Sequence, residues 1–108
     1  MSVVETNKVD AVAARPDSSI VKLVITDHLE WEDFEAHALL IQDKINTYLE
    51  FVESGQLAQI QTPKIPEAPD IHIVLMLQYP PTNEAMEFFG RVRELLAGMG
   101  MKFDVEVD

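Results

Sequence analysis

The chain contains no cysteine, which excludes disulfides, thiol nucleophiles and zinc–thiolate sites. Glycine is scarce, four in 108 residues, and no glycine-rich loop follows any strand-like segment. A P-loop or dinucleotide fingerprint is therefore excluded. Basic residues are few as well: eight lysines and arginines stand against 19 acids, for a formal charge of −11. Such a charge repels phosphate backbones and anionic headgroups, so neither nucleic acid nor a membrane surface is an expected partner. The longest apolar run, Ile73 to Leu77, is far shorter than the roughly 20 residues a spanning helix needs. Met1 to Asp10 is polar and lacks the apolar centre of a signal peptide. Serines are few, and no serine, histidine and acid arrangement suggests a triad. These absences point to a cytoplasmic protein with no cofactor.

What is present is a hydrophobic fraction of 47% in a chain of single-domain length. One domain over 1–108 is expected, with 1–8 a loose terminus. Val9 to Arg15 reads as a short strand, and Pro16-Asp17-Ser18 as a turn. Ile20 to Thr26 alternates with Val21, Leu23 and Ile25 on one side, so the two segments suggest a hairpin. The period then changes to that of a helix, with Phe34, Ala38, Ile41, Ile45, Tyr48, Leu49 and Val52 on one stripe. Asp27 and Glu30 have capping-box spacing, which would start this helix before Trp31, and Gly55 ends it. Leu57 to Gln61 is a candidate edge strand, and Pro63, Pro66 and Pro69 then exclude a helix or central strand. That proline spacing fits a stiff connection, with a polyproline ligand as the alternative.

Ile71 to Tyr79 is the most apolar strand and belongs in the middle of a sheet. Thr82 caps a second helix with Ala85, Phe88, Phe89, Val92, Leu95, Leu96 and Met99 on its stripe. Met101 to Val107 alternates as a half-buried final strand. The expected fold is α+β, a two-layer sandwich of order β-β-α-(β)-β-α-β. Its four- or five-stranded sheet carries both helices on one face. Val24, Val74 and Met76 would then lie on the open face, a place for a second copy of the chain.

The densest polar cluster surrounds the start of the first helix. Asp27, His28, Asp33 and His37 form a candidate metal set, with Asp33 and His37 on one helical side. A metal-dependent hydrolase built there would need an open coordination position and a base. No familiar ligand spacing supports it, and acidic residues in a helix's first turn are expected from the helix dipole alone. A second use is docking of a basic protein through Glu30, Trp31, Glu32 and Glu35, with Val74 and Met76 as apolar contacts. An inhibitor or immunity-type partner of a basic protein is one form of that reading, and a homodimeric structural protein another.

Thr26-Asp27-His28-Leu29-Glu30-Trp31, the helix ending in Glu53-Ser54-Gly55, and a later strand running into Tyr79-Pro80 carry a resemblance. The chain from Val9 to Val107 resembles a family of small bacterial proteins with a domain of unknown function. The proline-spaced 62–69 stretch departs from that pattern. The resemblance implies no activity, cofactor or catalytic residue.

Overall fold

Val21, Leu23 and Ile25 are fully buried while Lys22 and Thr26 are exposed, so Ile20–Asp27 is a strand with one face on the core. A computed structural model describes residues 9, 11–15, 17–60, 65 and 69–107. Within them, β1 (Ala11–Ala14), β2 (Ile20–Asp27), β3 (Asp70–Leu77) and β4 (Lys102–Val107) form one sheet in that order. Residues 1–8 and most of the proline-spaced stretch lie outside the described residues.

β1 runs antiparallel to β2, with Ala11 opposite Val24, and the Ser18 amide donates to the Arg15 carbonyl between them. β2, β3 and β4 are parallel, with Val24 beside Val74 and Val74 beside Asp104. Parallel neighbours need crossovers, and each carries a helix: α1 (Phe34–Glu53) and α2 (Asn83–Ala97). Crossovers of the usual right hand that step the same way across a sheet put their helices on one face. The packing agrees. Ile41, Ile45 and Tyr48 of α1 share one buried cluster with Ala85, Phe89 and Leu96 of α2 and the inward residues of the sheet. Lys22 and Thr26, on the opposite face of β2, are exposed.

Two expectations need correction. Leu57–Gln59 is a 3-10 helix rather than an edge strand, its turn closed by Gln59 and Ile60 amides donating to Gln56 and Leu57 carbonyls. One turn is enough to bury Leu57, its apolar anchor. α1 also starts later than Trp31. The Asp33 carboxylate accepts the Ala36 amide at 3.2 Å and takes the cap, while Asp27 is the last residue of β2. At the other end Gly55 has φ +84, a left-handed conformation that lets the chain leave the helix sharply. Among the described residues no helix is long and apolar enough to cross a membrane.

An aromatic chain binds the layers. Phe89 lies 5.9 Å from Trp31, 5.8 Å from Phe88 and 6.1 Å from Phe103, measured between ring centroids. Phe89→Ala should lower unfolding free energy by about 3–5 kcal/mol in urea titration, because the cavity would open between α2, β4 and the Trp31 segment.

Candidate functional site

The parity that buries Val21, Leu23 and Ile25 also turns Asp27 inward, where it is 1% exposed. A carboxylate buried there must be paired to be tolerated. Its Oδ2 lies 2.5 Å from His37 Nε2, and its Oδ1 accepts the Leu29 amide at 3.0 Å. Its carbonyl accepts the amide of Gln78, just beyond β3, at 2.9 Å. His37 stands one turn before Ile41 in α1 and is 3% exposed. With Asp27 ionised, Nε2 carries the shared hydrogen. Nδ1 is then a buried atom with no hydrogen-bond partner among the described residues.

Trp31 covers this pair. Its ring stacks on His37 with centroids 3.8 Å apart and planes at 23°, and its indole N–H donates to the Tyr79 carbonyl at 3.2 Å. The stretch from His28 to Asp33 has no helix or strand ladder of its own. It is held by these contacts to the carboxyl ends of β2 and β3. Beside it is an open depression lined by His28, Glu30, Glu32, Asp33, Leu40 and Tyr79. Glu30, Glu32, Asp33 and Glu35 are exposed, and no lysine or arginine occurs from Asp27 through Asp43.

The four residues singled out for a metal thus have different positions. Asp27 and His37 meet, Asp33 caps α1, and His28 is exposed. Among the described residues no three histidines and acids are grouped to hold a metal ion. Of the candidate partner-binding residues, Glu30 and Glu32 line the depression, while Trp31 packs on His37 and Glu35 is exposed in the first turn of α1. Val74 and Met76 lie on the face of the sheet opposite the helices, where Met76 is half-buried but Val74, expected to be open, is only 5% exposed. Trp31 precedes the helix and is half-buried.

The pairing of Asp27 with His37 was not anticipated, although its signal is in the pattern. Asp27 continues the inward parity of β2, and His37 falls four residues before Ile41 on the buried arc of α1. Lys44 was also missed. It is 0% exposed, with its ammonium 5.7 Å from the Tyr48 ring centroid, a cation–π distance.

Replacing His37 by leucine should cost about 3 kcal/mol, since it leaves a buried carboxylate without the hydrogen-bond partner that Nε2 supplies. Asp27→Leu with His37→Leu should recover part of that loss. A double-mutant cycle in urea should then return a coupling of about 1–3 kcal/mol, and additive losses would show that the two side chains act independently.

A comparison with curated proteins and with solved structures finds no match. A family match covers the whole chain, residues 1–108, and its description is a family of unknown function. The chain therefore belongs to the Family of unknown function DUF6572.

Proposed function

We propose that this chain is a non-enzymatic binding or accessory protein that docks a basic protein against the acidic depression at the start of α1. An inhibitor or immunity-type role, in which the acidic surface covers a cationic site on the partner, is the specific form we favour. The observation that carries the reading is the placement of Glu30, Glu32 and Asp33 around one depression, on a segment anchored through Trp31, with Glu35 exposed in the first turn of α1. A loop already ordered before binding avoids the entropy cost of ordering it on contact. Carboxylates gathered on one surface also speed the approach of a cationic partner.

Burial supports the non-enzymatic part. A general base has to come within hydrogen-bond reach of a substrate proton. The one acid–histidine pair described has side chains 0% and 3% exposed, beneath the Trp31 ring. Tyr79 and Leu40 give the depression an aromatic and an apolar wall against which the stem of a lysine or arginine can lie.

Affinity capture with the tagged chain at about 50 mM salt should retain a basic protein, released as screening rises toward ~0.5 M. Retention should fall at least about tenfold for Glu30→Lys with Glu32→Lys, two exposed substitutions that leave the Asp27–His37 contact in place. A retained set that is identical for the wild type and the charge-reversed variant would contradict the proposal.

A further inference from the structure

The two helices leave an apolar strip along the seam between them. Ala85, Phe89, Val92 and Leu96 form the buried stripe of α2, and two contacts tell its flanks apart. On one flank Phe88 meets Phe34 of α1, with ring centroids 6.2 Å apart. On the other, Arg93 Nε donates to the Phe103 carbonyl of β4 at 3.1 Å. Leu95 and Met99 follow Phe88 by about two and three turns, on the flank that faces α1. A side chain directed sideways at a closely packed helix is covered by it. Leu95 is instead 59% exposed and Met99 47%. With right-handed crossovers, the flank of α1 that carries Gln42 and Asn46 borders this seam. Both are exposed, and Leu39 is 57% exposed at the outer border. The helices thus meet at Phe34 and Phe88 and leave the rest of the seam uncovered.

We propose that the α1–α2 seam is a docking groove for a basic amphipathic helix of another protein. A helix lying in a groove is held by apolar anchors spaced by whole turns. Phe88, Leu95 and Met99 match that spacing over about 16 Å, the length of three helical turns. The thioether of Met99 is flexible enough to fit more than one apolar side chain. Charge decides what the occupant is. Glu35 and Glu53 on α1 and Glu84, Glu87 and Glu94 on α2 are exposed along the borders, with Arg91 the one cation there among the described residues. Borders of that sign repel an anionic membrane surface, and repel a second copy whose borders carry the same charge. They attract lysines and arginines that flank an apolar stripe. Leu40 of α1 lines the acidic depression, while Gln42 lies on the opposite flank. The two contacts are therefore separate, and loss of either leaves the other measurable.

Three synthetic peptides of about 16 residues, titrated into the isotope-labelled chain and followed by amide chemical shifts, test this. One is built of leucine and lysine with its leucines on a single helical stripe. The second keeps those leucines and replaces lysine by glutamate, and the third scrambles the order of the first. The striped lysine peptide should bind with a dissociation constant of roughly 1–100 μM and shift the amides of Leu95, Met99 and Gln42. The glutamate peptide should not bind, and the scrambled one should bind at least about tenfold more weakly. Leu95→Gln with Met99→Gln, two exposed substitutions whose fold circular dichroism can check, should weaken the striped lysine peptide about tenfold. Glu30→Lys with Glu32→Lys, at the depression, should leave the shifts at the seam in place. Absence of binding by the striped lysine peptide overturns the proposal. So do equal binding of the scrambled peptide, shifts confined to the depression around Tyr79, or an affinity unmoved by the Leu95 and Met99 exchanges.

Discussion

A carboxylate at the buried end of β2 sets the condition that its surroundings must meet. Asp27 continues the inward parity of Val21, Leu23 and Ile25, yet it carries an ionisable group where the strand requires an apolar one. The chain meets this condition locally. The Leu29 amide turns back to one carboxylate oxygen, and α1 supplies His37 to the other. Trp31 then closes over the imidazole and ties itself to the Tyr79 carbonyl beyond β3. The consequence is positional: a stretch with no ladder of its own is fixed, and the exposed carboxylates on it acquire defined places.

Much of the fold was legible because it rests on two periods. Alternation exposed β2 and β4, and the 3.6-residue stripes of Ile41 to Tyr48 and Ala85 to Leu96 gave both helices and their common face. The placement of β3 in the sheet interior followed from its apolar character. The failures are local. Leu57 to Gln61 has the apolar content of a short strand, but one buried leucine is equally served by a single 3-10 turn. At the start of α1 the capping-box spacing of Asp27 and Glu30 suggested an earlier start, but Asp27 is occupied by His37 and the cap is Asp33.

The candidate site was legible as a composition and not as a geometry. A run from Asp27 to Asp43 without a lysine or arginine marks an acidic surface in any conformation. Which acids turn outward depends on a strand parity and a helical phase meeting across a six-residue connection. Asp27 and His37 had been grouped with His28 and Asp33 because all four are potential ligands. Burial separates the first two from the exposed ones and gives them a positioning role. Lys44 shows the same limitation, since a lysine inside an apolar stripe reads as its polar border until the neighbouring Tyr48 ring is seen beneath it.

Hydrogen exchange followed residue by residue tests the central claim that the Asp27–His37 contact holds the 28–33 segment in place. The Leu29 amide and the Trp31 indole N–H should be protected well beyond the backbone amides of Glu30 and Glu32. Both should lose that protection in His37→Leu, while amides in the middle of β3 keep theirs. Exchange of the Leu29 amide and the Trp31 indole at unstructured rates in the native chain would contradict the account. Protection unchanged by His37→Leu would contradict it equally.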